Sequence, residues 1–159
     1  RPFGLMSSHR VIQGAVTLAV IASGGSPALA EWRVRELQES SGSGPAIEMS
    51  YRSSGERLTM LCSAGAAFVS FAPGYRLPEV PGGIFEGHYS VDNGPLKPIR
   101  WRVTQFSAFV TARFAELFLA DIAGAAQVFI KFPAVEQTYD VTPLAQHARQ
   151  LKAVCRLGM

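Results

Sequence analysis

Apolar and polar residues alternate through the first half of the chain and recur at steps of three and four in two later stretches, so the pattern predicts strands first and helices afterwards. In "WRVREL", Trp32, Val34 and Glu36 alternate imperfectly with Arg33, Arg35 and Leu37. "AIEMSY" puts Ile47, Met49 and Tyr51 on one side, "RLTMLC" does the same with Leu58, Met60 and Cys62, and "AAFVSF" is an apolar run that ends before Pro73. Ser/Gly segments separate these runs, which therefore read as short strands of an antiparallel meander. The next stretch, "APGYRLPEVPGGIF", holds Pro73, Pro78 and Pro81 with Gly74, Gly82 and Gly83. Such residues support neither a helix nor a central strand, so a long loop is expected over 73–83.

"EGHYSVDNGPLKPIRWRVT" reads as a hairpin. Asp92, Asn93 and Gly94 suit a turn that needs positive φ, and Pro95 directly after them calls for a loop wider than two residues. Ile99, Trp101 and Val103 alternate with Arg100, Arg102 and Thr104, which sends one set to a core and leaves two guanidiniums on the other face. In "TARFAELFLADIAG", Ala112, Phe114, Ala115, Leu117, Phe118, Leu119 and Ile122 make a wide apolar stripe on a helix, with Gly124 as its stop. "AQVFIKF" and "QTYDV" follow as strands. In "TPLAQHARQLKAVC", Thr142 is placed to cap a helix, Pro143 fits its first turn, and Leu144, Ala148, Leu151 and Cys155 share one stripe. The fold class expected is α+β: a mostly antiparallel sheet with two helices packed on it.

Before this domain, "SSHRVIQGAVTLAVIASGGSPALAEW" has a basic start, a short apolar run and small residues at Ala28 and Ala30, the pattern of an export signal over 1–30. Met6 is then the expected initiator and 31–159 a single exported domain, large enough for one core. Charge is informative mainly after that division. The whole sequence has 15 basic and 12 acidic residues, but without Arg1 and Arg10 the remainder holds 13 basic residues against the same 12 acidic ones. A nearly neutral domain excludes partners held by bulk charge, so neither nucleic acid nor an anionic membrane is expected. Arg113, Glu116 and Asp121 interrupt the later apolar helix, so insertion in a membrane is not expected either.

In an oxidising compartment the two cysteines allow one intramolecular pairing, Cys62 with Cys155, which ties the last helix to an early strand. Closing a loop of about ninety residues contributes ~4 kcal/mol by the chain-entropy estimate, which strain in the bond reduces. A thiol nucleophile or a metal site is the alternative, but neither cysteine has a His or second Cys at ligand spacing.

Candidate chemistry is sparse. Outside the export signal the histidines are His88 and His147. Glu86 and His88 alternate onto one strand face and are placed to meet as acid and base, yet no serine lies in a Gly-x-Ser-x-Gly turn. Glu86, Asp92, Glu116, Asp121, Glu136 and Asp140 include no evident pair of the glycosidase kind, and surface charge accounts for them. Tyr75 and Arg76 in the Pro-rich loop, with Arg100, Trp101 and Arg102, form the candidate partner-binding group, because Arg and aromatic residues concentrate at interfaces and long structured loops carry binding residues.

Taken in order, the export signal, the strand with Trp32, "RLTMLC", the "VDNG" hairpin, the Trp-bearing strand, the Phe/Leu helix, the "YDVTPL" step and the helix ending in Cys155 resemble small periplasmic proteins of the type VI secretion-associated, VMA-like group. They resemble the invasion-associated locus B family more loosely, since the further cysteines of that pattern are missing here. The first resemblance implies an accessory or partner-binding role in the cell envelope, with a cysteine after an early strand matched by one in the last helix. It brings no catalytic residues and no cofactor. The expected function is thus a non-enzymatic periplasmic or secreted domain that binds another envelope or secreted protein. An exported inhibitor or immunity-type protein using the 73–83 loop is the alternative, and a small cell-wall hydrolase the reading from a third class.

Overall fold

The computed structural model describes residues 31–38, 44–63 and 65–155; the export signal expected over 1–30 lies outside them. Nine strands and two α-helices are found among the described residues. The strands are β1 (Glu31–Gln38), β2 (Pro45–Ser53), β3 (Glu56–Ser63), β4 (Ala66–Ala72), β5 (Ile84–Val91), β6 (Lys97–Val103), β7 (Ala108–Val110), β8 (Gln127–Lys131) and β9 (Glu136–Asp140). The helices are α1 (Ala112–Ile122) and α2 (Ala148–Cys155), and 3-10 turns span Pro81–Gly83 and Thr142–His147.

All strands join one antiparallel sheet in the order β1-β2-β3-β4-β7-β6-β5-β8-β9. The meander and the β5–β6 hairpin are as the alternation predicts. Register puts Ile47 opposite Cys62 and Cys62 opposite Ala67, then Met49 opposite Met60 and Met60 opposite Val69. One face of the sheet is therefore continuously apolar, and its side chains are buried. Each fully buried Leu, Ile, Met or Phe contributes about 1.5–3 kcal/mol. The three-residue β7 was not expected from the sequence. It separates β4 from β6, so the hairpin is joined to the meander through β7.

Both helices pack on the apolar face. Ala115, Phe118, Leu119 and Ile122 of α1 are buried, at the i, i+3, i+4, i+7 spacing of a single stripe. The stripe is narrower than the sequence implied, and Leu117 falls on the solvent side at 54% exposure. Gly124, with φ of 86°, ends the segment where a left-handed residue is required. The final helix begins as the 3-10 turn, with Pro143 in its first turn. Thr142 does not cap it. Asp140 does the work from outside: its carboxylate accepts from the Thr142 amide at 2.9 Å and also from the Thr142 hydroxyl. Leu144, Leu151 and Cys155 face the core, and a disulfide joins Cys155 to Cys62 of β3 with the Cα atoms 5.1 Å apart.

The sheet curls until its edge strands approach, and side chains close the gap. The Trp32 indole N–H donates to the Asp140 carbonyl at 2.8 Å. The Tyr51 ring lies 5.3 Å from Trp32 and 5.0 Å from Tyr139, centroid to centroid. Glu56, at the start of β3, accepts from the Tyr139 hydroxyl and the Gln137 amide, each at 2.5 Å. Curvature has a visible cause in β5, where a Cβ on Gly87 would stand 2.5 Å from the Lys131 carbonyl oxygen. Only glycine lets the last residue of β8 come this near. Phe132 then turns inward to stack on Phe71 at 3.8 Å.

Candidate interaction surface

The Pro-rich stretch between β4 and the first 3-10 turn is a loop, as expected, and it is fastened at several points. Gly74, with φ of 85°, lies against the β2–β3 turn so closely that a Cβ would be 2.8 Å from the Gly55 carbonyl oxygen. Leu77 is buried, and its amide donates to the Gln105 carbonyl at 2.9 Å. The Arg76 guanidinium donates to the Gln105 side-chain oxygen at 3.1 and 3.3 Å. The Gly83 amide closes the far end on the Val80 carbonyl at 2.9 Å. Fixed in this way, the loop holds Tyr75 at 51% exposure.

Its neighbour is the turn between β6 and β7. The Thr104 hydroxyl accepts from the Ser107 amide at 3.2 Å while the Thr104 amide donates to the Ser107 carbonyl at 2.8 Å, a local arrangement that leaves Phe106 at 60% exposure. A cleft of about 350 Å³ lies between the two segments, lined by Arg76, Leu77, Pro78, Val80, Val103 and Gln105. Phe106 was not among the residues expected from the sequence. Its signal was available, an aromatic residue between Gln105 and Ser107 in a polar turn, but the turn could be placed beside the loop only through the Leu77–Gln105 bond.

The arginine pair of β6 is on the outer face. Arg100 is paired with Glu86 at 2.8 Å, with its guanidinium carbon 5.8 Å from the Phe114 ring centre. Arg102 is exposed opposite Phe109 of β7 and Ile84 of β5. Trp101 must be removed from the partner-binding group. It is fully buried and packs on Phe132 at 5.1 Å, because consecutive residues of a strand point to opposite faces and the two arginines hold the outer one. Its indole nitrogen has no hydrogen-bond partner among the described residues. The sequence-based group is thus divided: Tyr75 and Arg76 are on the loop, Arg100 and Arg102 on the outer sheet face, and Trp101 in the core.

The acid–base pairing considered for Glu86 and His88 is not formed. Glu86 holds Arg100, and the His88 ring lies 6.0 Å from that of Phe129. Asp92, Asp121, Glu136 and Asp140 have structural partners instead. Asp92 accepts from the amides of Ala126 and Gln127, both at 2.9 Å, so the hairpin loop grips the start of β8. The positive φ values of that loop fall on Asp92 and Asn93, at 49° and 58°. Asp121 binds Lys97 and the Tyr89 hydroxyl, each at 2.7 Å, and Glu136 pairs with Lys131 at 3.1 Å. Burial, then the bond to Asp121, raises the Tyr89 phenol above its ordinary range, and burial followed by the bond to Glu56 does the same to Tyr139. The Asp140 carboxyl is lowered by the hydrogen bonds it accepts from Thr142.

Among family models, curated proteins and solved structures, none matches this chain.

Proposed function

We propose that the chain is a non-enzymatic protein-binding domain that acts in the periplasm or outside the cell, as an accessory component of the envelope or of a secretion apparatus. The observation that carries this reading is the pair of exposed aromatic rings, Tyr75 and Phe106, on two segments fastened together by the Leu77–Gln105 bond. Rigid aromatic residues with an arginine beside them are the residue types that anchor interfaces. Fixing the segments beforehand lowers the ordering cost of docking, so the exposed rings meet a partner already in position. The compartment is supported by the disulfide between Cys62 and Cys155, a bond that persists in oxidising surroundings.

The test is a crosslinked capture of partners by the tagged full chain from an envelope fraction, with Tyr75→Ala/Phe106→Ala as the paired bait. A protein crosslinked to the parent chain and lost from the double variant is the expected result. Identical captures from both baits would refute this surface, and no capture would refute the binding role in that fraction.

A further inference from the structure

Next to the same loop lie two arginines, Arg52 and Arg57, that no carboxylate holds among the described residues. Arg52 of β2 and Arg57 of β3 are directly opposite each other in register, and both are exposed. Adjacent strands are about 4.8 Å apart, and like charges placed directly opposite destabilise a sheet. Neither arginine makes an ion pair or hydrogen bond among the described residues. The nearby carboxylates have other partners: Glu31, directly opposite Arg52 on β1, pairs with Arg33 at 3.4 Å, and Glu56 accepts from Tyr139 and Gln137.

The two guanidiniums open on a concavity of about 360 Å³ whose lining also includes Arg33, Ser53, Ser54 and the acidic residues Glu31 and Glu56, so that three cationic side chains stand against two anionic ones. Its floor is the β2–β3 turn, where Ser54 and Gly55 take φ of 46° and 88°. Gly74 rests on that Gly55, so the concavity adjoins the segment that carries Tyr75.

We propose that Arg52 and Arg57 receive an acidic peptide segment, with neighbouring carboxylates on the two guanidiniums and the chain continuing toward Tyr75. This rests on the partner-binding reading and names the chemistry of the partner. Unpaired arginines one strand apart supply two forks for two carboxylates. The concavity is open, so a lone small anion would keep much of its hydration there and gain little. A segment that carries several carboxylates and also reaches an aromatic ring adds contacts without a second loss of freedom. The like-charge repulsion in the free protein is relieved when the acidic segment binds.

The test is fluorescence anisotropy of a labelled oligo-glutamate peptide with the oxidised full chain, against an oligo-glutamine peptide and with inorganic phosphate as competitor. Arg52→Gln/Arg57→Gln is the probe variant, and Arg35→Gln, which removes the partner of Glu48 elsewhere on the sheet, is the control. The expected result is binding of the glutamate peptide alone, weakened at least about tenfold in the double variant, unchanged in the control, and weakened by added salt. The double variant should also melt about 1–3 °C higher without ligand, as repulsion is removed.

Equal binding by parent and double variant would overturn the proposal, as would no binding of the glutamate peptide. Phosphate displacing the peptide at matched concentration would overturn it in favour of a phosphate ligand. A captured partner that depends on Tyr75 and Phe106 but not on Arg52 and Arg57 would leave the binding surface standing and remove the acidic segment from it.

Discussion

Tyr139→Phe isolates the bond that closes the curled sheet. The ring stays, with its contacts to Tyr51 and Phe132, while the hydroxyl on the Glu56 carboxylate is lost. Hydrogen bonds to a charged group contribute about 1.5–3 kcal/mol, and Glu56 keeps its Gln137 donor, so a loss of about 1.5–2 kcal/mol at neutral pH is expected. A second signature follows from titration. The Tyr139 phenol is raised in the folded protein, first by burial and then by Glu56, so the folded chain keeps a proton that the unfolded chain releases above pH ~10. The stabilisation is complete below that pH and falls as pH rises through the unfolded value toward the folded one. At pH ~11 the unfolded phenol gains about 1.4 kcal/mol that the folded phenol does not. The phenylalanine variant is free of this loss. Urea unfolding of both proteins from pH ~7 to ~11 should therefore show the difference between them shrinking by about that amount above pH ~10. Tyr89, also raised, is present in both proteins and cancels in the difference. A difference that stays constant across the alkaline range would refute a buried, carboxylate-bound phenol at the seam.

Three further outcomes are expected. Reducing Cys62–Cys155, whose members are 93 residues apart, should lower stability by up to about 4.7 kcal/mol, read as a fall in urea midpoint; an unchanged midpoint would contradict the loop-closure argument. Gly87→Ala sets a methyl 2.5 Å from the Lys131 carbonyl oxygen, and a loss of about 2–3 kcal/mol or failure to fold is expected, whereas an unaltered melting temperature would show that β8 does not press on β5 there. Arg100→Ala removes an exposed pair with Glu86 and should change stability by no more than about 1 kcal/mol by thermal unfolding, a larger drop making that arginine part of the fold.

Strand identity was legible where a buried face leaves a period-two record. Met49 and Met60 were assigned to the apolar side by local alternation, and register then aligned them with Val69 of the apolar run that follows. The disulfide was legible because Cys62 and Cys155 each fell on an apolar face of their own element. Other features depend on distant residues and leave little local trace. The three residues of β7 are too few to show a period. Leu117 looked like part of the helix stripe until the position of the sheet selected Ala115, Phe118, Leu119 and Ile122. Thr142 has the composition of a cap, but Asp140, held at the end of β9, reaches its amide first. The candidate site divides along the same line. Tyr75 stood out as an aromatic residue in a Pro-rich loop, and Trp101 was misplaced because nearness in sequence was taken for nearness on a surface, although the alternation had already sent the two sides of β6 apart.

One turn, Ser53 to Glu56, connects the closure of the sheet to the proposed surface. Glu56 takes the hydrogen bonds from Tyr139 and Gln137, Gly55 supports Gly74 of the Pro-rich loop, and Arg52 and Arg57 flank the turn on the outer face. Loosening the seam at Tyr139 therefore reaches the floor of the concavity through a single residue, Glu56. Exchanging either guanidinium for an amide leaves that hydrogen bonding untouched. Stability and binding should consequently separate in one direction only. The arginine variants should lose the acidic peptide while remaining as stable as the parent chain or more so, and Tyr139→Phe should weaken both together. If Tyr139→Phe lowered stability and left peptide affinity intact, the turn would hold its shape without the seam, and Gly74 above it would be sufficient to fix the two arginines.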